Sequence, residues 1–109
     1  MWNKPTAEEL AQLPKLYETE RTPVRNKIVQ MHFFIGGCDW YVVEFDGEDT
    51  FFCFAILNDD LECAEWSYAS LSEMEAIDIN GLEIDRDLFW KPIPVREIER
   101  LSGLVVDED

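Results

Sequence analysis

Residues 51–57, FFCFAIL, are apolar on both sides of a two-residue alternation: Phe52, Phe54 and Ile56 on one face, Phe51, Cys53, Ala55 and Leu57 on the other. A strand of that kind belongs in the middle of a sheet with both faces covered. The rest of the chain has to pair with it and supply the cover. Helices are expected over one face, and the N-terminal arm or a second molecule over the other.

The partners lie close by. Residues 28–35 predict a first strand, with Val29, Met31, Phe33 and Ile35 on one face and Ile28, Gln30, His32 and Phe34 on the other. Gly36-Gly37 ends it, residues 40–45 predict a second strand, and the turn 46–49 leads into the central strand at 50–57. Asn58-Asp59-Asp60 makes the next turn through side-chain to backbone bonds, and residues 64–70 predict a fourth strand. Connections this short favour pairing in sequence order, which gives a four-stranded antiparallel meander.

Short helices flank that sheet. Thr6 with Glu9 fits a capping box for a helix over 7–13, closed by Pro14. Residues 13–27 then read as an extended connection anchored by Leu16 and Tyr17. Ser70 with Glu73, or Ser72 with Glu75, caps a helix over 72–77. Asn80-Gly81 marks a tight hairpin. Pro92 and Pro94 force an extended entry into a C-terminal helix carrying Val95, Ile98 and Leu101, stopped at Gly103, with a frayed acidic tail behind it. The expected fold is therefore α+β. It is one domain over 1–109: a sheet core at 27–70, a helix and arm at 1–26, and a helix, short hairpin and C-terminal helix at 71–109. Seven Phe, four Trp and three Tyr supply the core of a folded chain, each large side chain stabilising it by roughly 1.5–3 kcal/mol when buried.

Charge is the strongest clue to function. The formal net charge is −15, and residues 31–85 hold fourteen acidic residues and no lysine or arginine. Such a field repels phosphate backbones and anionic membranes, which excludes direct nucleic-acid binding, and it attracts basic surfaces. The longest apolar run is far too short to span a bilayer. Three cysteines without a CxxC pattern suit a reducing compartment, and the N-terminus does not read as a signal peptide. A cytoplasmic location follows as the expectation.

Several stretches carry a resemblance: LPKLYETE at 13–20, HFF at 32–34, DWYVVEFD at 39–46, EWSYASLSEM at 65–74 and RDLFWKPIPVREI at 86–98. In these the chain resembles the domain of unknown function 2958 family. The resemblance implies an accessory protein of bacterial plasmids, phages or integrative elements. It brings no established catalytic residues to carry over.

Candidate chemistry is sparse. Glu44, Asp46, Glu48 and Asp49 cluster around one turn, and Asp59, Asp60 and Glu62 around the next. Hard cations take oxygen ligands from such clusters, but DGED at 46–49 completes no calcium-loop pattern, so no metal or cofactor is assigned. Cys38 with His32 would need hydrogen-bond reach and a third orienting group to act as a nucleophile pair. Asp85 and Asp87 around Arg86 read as a local ion-pair network, with Trp90 packed on the sheet and Lys91 pointing outward. The aromatic residues lack the basic groove that single-strand binders need and read as core. The resulting expectation is a non-enzymatic acidic interaction protein of a mobile element, a DNA mimic or counter-defence factor. It would bind a basic protein through Glu44, Asp46, Glu48, Asp49, Asp59, Asp60 and Glu62. The alternatives are a small metal-dependent hydrolase using the 44–49 carboxylates, and a structural subunit that self-associates as a homodimer.

Overall fold

Two short apolar runs, residues 40–45 and 51–56, pair across the Asp46 turn and carry the whole architecture. The computed structural model describes residues 3–102. The sheet strands are β2 (Met31–Ile35), β3 (Cys38–Phe45), β4 (Thr50–Ile56), β5 (Glu65–Ser70) and β6 (Asp85–Arg86), in the antiparallel order β5-β4-β3-β2-β6. The chain is α+β as expected, and the meander is present. The sheet has five strands rather than four, because Asp85 and Arg86 add themselves alongside Phe34 and Phe33. Two residues with no alternating pattern give no strand signal, so β6 was not foreseeable from periodicity.

A second correction concerns residues 28–35. They do not form one strand: β1 (Ile28–Val29) pairs with β7 (Ile93–Pro94) in a separate two-stranded ribbon, and β2 begins only at Met31. The break at Gln30, whose N–H donates to the Val42 carbonyl, turns Val29 away from the side that Met31 and Phe33 face.

Two cores result, one on each face of the sheet. The first gathers Met31, Phe33, Val42, Phe45, Phe51 and Cys53 under Leu13, Leu71, Met74 and Ile84. Its cover is α1 (Ala7–Ala11) and α2 (Leu71–Ala76). The second gathers Tyr41, Val43, Phe54 and Ile56 with Val29, Val95, Ile98 and Leu101. The double-sided apolar strand is thus covered on both faces. The second cover is mainly the chain's own C-terminal segment, a 3₁₀ turn at Val95–Glu97 followed by α3 (Glu99–Ser102). Val95, Ile98 and Leu101 are spaced by three, which suits a three-residue turn as well as an α-helix. Leu57, expected on the strand, lies past its end and is half exposed.

β3 carries a bulge. Val42 pairs with Cys53, but Glu44 pairs with Phe52, leaving Val43 as the extra residue. Up to Val42 the even-numbered residues face the helices; after the bulge Phe45 does. Unbroken alternation would have driven Glu44 into the core beneath α1 and α2 and Phe45 out of it.

The local signals behave as their chemistry predicts. The Thr6–Glu9 capping box is complete, though α1 ends two residues earlier than expected, before the residue that precedes Pro14. The Ser70 hydroxyl accepts from the Glu73 N–H and caps α2. Asn80 and Gly81 both take positive φ, and Ile79 and Leu82 exchange both backbone bonds around them. Gly37 is required by close approach: a Cβ there would meet the Asp59 carboxylate at 2.7 Å. The Gly103 stop and the acidic tail lie outside the described residues.

Phe51 is fully buried between Phe33 and Phe45, with ring centroids at 5.7 and 4.9 Å. Phe51→Ala should cost about 3–5 kcal/mol in urea unfolding. Phe89→Ala, at a ring 93% exposed, should stay within about 0.5 kcal/mol of wild type.

Candidate functional site

Six of the seven acidic residues divide between the two ends of β4. Seven strand residues separate the 46–49 turn from the 58–60 turn, a distance of about 20 Å. The two turns that the sequence marked as acidic are thus two separate acidic poles.

At the first pole the carboxylates are pinned. Asp46 Oδ1 accepts from the N–H groups of Glu48, Asp49 and Thr50 at 2.8, 2.8 and 3.0 Å. Those amides, Thr50's first, hold its pKa below the usual carboxylate range. Asp49 accepts from the Ser70 hydroxyl and from the Ser72 N–H and hydroxyl, tying the turn to the start of α2. The Ser70 hydroxyl is the largest influence holding its pKa low as well. Glu48 is exposed beside them.

At the second pole Asp60 accepts from the N–H groups of Glu62 and Cys63. Asp59 pairs with Arg100 at 2.8 Å. Glu62 is exposed. Among the described residues, no three His, Cys, Asp or Glu side chains gather in a way able to hold a metal ion.

Glu44 belongs to neither pole. It is 3% exposed, turned by the Val43 bulge to the face that carries Phe52. Its Oε1 accepts the Tyr17 N–H at 2.8 Å; its Oε2 accepts the Thr19 N–H at 3.0 Å and the Thr19 hydroxyl. The Lys27 ammonium, also buried, donates to the Thr19 carbonyl and, at 3.3 Å, to its hydroxyl oxygen. One carboxylate thus anchors the middle of the 14–26 arm, whose ends are held by the Phe45 N–H on the Pro14 carbonyl and by Arg96 on Asn26. Tyr17, Glu20, Lys27, Glu44, Phe52 and Tyr68 enclose a recess of about 240 Å³ there. Thr19, Lys27 and Tyr68 were not singled out by sequence, and Tyr17, expected as an anchor, holds the arm through its backbone N–H while its ring stays 65% exposed. The available signal was Glu44 itself, an acid inside the apolar run YVVEF, which has to find donors when buried.

A second buried network closes the other end of the same face. Asp39 accepts from His32 Nε2 and from Arg100 Nη1, both at 2.7 Å, and His32 stacks flat on Tyr41 at 4.5 Å. Arg100 therefore fastens α3 to the sheet. Cys38 pairs with Ile35 and so faces the helices, whereas His32 pairs with Tyr41 and faces the C-terminal segment. The two lie on opposite faces, and the nucleophile pairing has no geometry. All three cysteines are free. Burial pushes the Cys53 thiol up to about 12, and the Asp60 carboxylate raises that of Cys63, the reverse of an activated thiolate.

Arg86 reaches a carboxylate far from it in sequence. It forms a two-pronged ion pair with Glu9, at 3.0 Å through Nη1, and locks α1 to β6. Asp87 caps the following turn by accepting the Phe89 N–H. Trp90 packs on the second core with its indole N–H on the Val29 carbonyl, and Lys91 is exposed.

Among protein families, the model described as "Protein of unknown function (DUF2958)" matches residues 5–97. No curated protein and no solved structure matches the chain.

Two outcomes follow from these anchors. Glu44→Ala strands the Tyr17 and Thr19 donors and should cost about 1–3 kcal/mol. It should also open the 14–26 arm to proteolysis while Glu48→Ala does not. The Arg86 guanidinium, with the Thr6 N–H after it, draws Glu9 from 4.5 to about 2. A folded value below the unfolded one means a contribution that is complete above about pH 4.5 and lost as pH falls towards 2. Arg86→Gln should flatten that part of the acid unfolding curve, by an amount moderated by the 40% exposure of the Glu9 side chain.

Proposed function

The chain belongs to the DUF2958 family, and from that premise we propose that it is a non-catalytic acidic interaction protein whose partner is a basic protein. The observation that carries the reading is the state of the turn carboxylates. Residues 31–85 build the meander, both turns and α2 without one lysine or arginine. Within them, Asp46, Asp49 and Asp60 are fixed by backbone N–H groups and hydroxyls rather than by cations. Pinned carboxylate oxygens on a rigid sheet keep their spacing, and the donors around Asp46 and Asp49 hold those two in the charged form. That is what a surface needs to stand in for a row of phosphates before a basic cleft.

In this reading the two poles are separate contact points about 20 Å apart on one rigid strand, which favours an extended basic surface over a small basic pocket. A DNA mimic or counter-defence factor of a bacterial plasmid, phage or integrative element, acting in the cytosol, fits that description. The mobile-element setting rests on the family resemblance alone. No helix among the described residues is long and apolar enough to cross a membrane.

The test is affinity capture at about 0.05 and 0.5 M salt, where charge screening differs strongly. The wild type is set against a variant carrying Glu48→Gln, Asp60→Asn and Glu62→Gln. These changes keep the acceptor oxygen that the 58–63 turn uses and remove three charges. The expected result is a basic protein held at low salt, released at high salt and not captured by the variant. Equal capture by both chains would overturn the reading.

A further inference from the structure

Tyr17 has a φ of 69°, a left-handed conformation that bulky L side chains rarely adopt. A glycine would sit there freely. The chain instead places a large ring at this point and holds it with buried polar groups: Glu44 takes the Tyr17 and Thr19 N–H groups, and Lys27 takes the Thr19 carbonyl. Such an expenditure of buried charge would ordinarily bring an aromatic ring into a core. Here the ring ends 65% exposed.

Its side chain meets that of Tyr68 in a hydrogen bond, and the two line one recess. Tyr68, on the edge strand β5, is 54% exposed, and Phe52 lies between it and Trp66, with ring centroids at 5.4 and 5.2 Å. The three rings and the carboxylates of Glu20 and Glu44 line one recess of about 240 Å³. Both oxygens of Glu44 are occupied by the arm, and Lys27 is turned onto Thr19. Glu20 is exposed at the rim. The recess therefore offers aromatic faces with one open carboxylate.

We infer that this recess binds a guanidinium, an arginine side chain presented by the basic partner, stacked against the Tyr17 and Tyr68 rings with Glu20 as its counter-charge. The inference rests on the acidic-interaction reading above and adds to it a point of specificity. Aromatic faces attract cations through the ring quadrupole. A guanidinium is planar, weakly hydrated and able to stack and to meet a carboxylate at once. The negative field of the chain brings cations to the surface without distinguishing among them. A stacked cage distinguishes arginine from other sources of positive charge, and strain kept at an exposed aromatic is the expected mark of such a site.

The probes are N-acetyl-arginine amide and its neutral isostere N-acetyl-citrulline amide, followed by the aromatic NMR signals of Tyr17, Phe52 and Tyr68. The arginine probe should shift these signals saturably, and the citrulline probe should bind at least tenfold more weakly. Tyr17→Gly suits the backbone and removes the ring, so it should melt no lower than wild type yet lose at least tenfold in affinity. Tyr68→Ala tests the second ring from an exposed position. No saturable shift, an equal response to citrulline, tighter binding of N-acetyl-lysine amide, or undiminished binding by both variants would overturn the proposal. Poly-lysine binding, measured against salt, separates the two readings. If it persists while the arginine probe fails, the cage falls and the acidic surface stands. If the arginine probe binds at the rings and poly-lysine does not bind, the cage stands without the broader surface.

Discussion

The buried carboxylate of Glu44 is the constraint that the arm, the recess and the local sheet geometry share. A carboxylate removed from water has to be surrounded by donors, and this one takes them from a segment 25–27 residues away in the chain. The Val43 bulge makes that possible. By adding one residue to β3 it turns Glu44 away from the helix-covered core and lets Phe45 join Phe51 within it. Sheet irregularity, arm position and the left-handed Tyr17 are consequences of one decision about where a charge can be tolerated.

Asp39 follows the same logic at the opposite end of β3. It is nearly as buried as Glu44, and it satisfies its oxygens with His32 and with Arg100 from the C-terminal segment. The strand thus begins and ends with a buried acid, each recruiting a different stretch of chain. Buried ion pairs contribute little net stability against well-packed apolar replacements. Their role here is to specify which segment lies over which part of the sheet.

Much of the framework was legible in sequence because it depends on nearest neighbours. The capping residues Thr6 and Ser70, the Asn80-Gly81 hairpin and the double-sided apolar run at 51–56 all act within a few residues of themselves. The misses have one cause. Glu44 was grouped with Asp46, Glu48 and Asp49 around one turn, since proximity in sequence says nothing of a bulge that turns it away from them. Arg86 was assigned to its neighbours when its partner Glu9 lies 77 positions away. Val29 was placed by a periodicity that stops at Gln30. The recess was invisible for the same reason, since Tyr17, Phe52 and Tyr68 meet only after the arm has folded back.

The second core has a further consequence for synthesis. Val95, Ile98 and Leu101 cover Tyr41, Val43, Phe54 and Ile56, and they leave the ribosome after every strand they cover. The ribbon joining Ile28 to Pro94 closes equally late. Until then a growing chain carries a paired meander with one greasy side open, the kind of intermediate that invites aggregation. The acidic span 31–85 is complete before that face can be sealed. Mutual repulsion between nascent chains is then already in place during the interval when the half-covered sheet would otherwise stick to another copy.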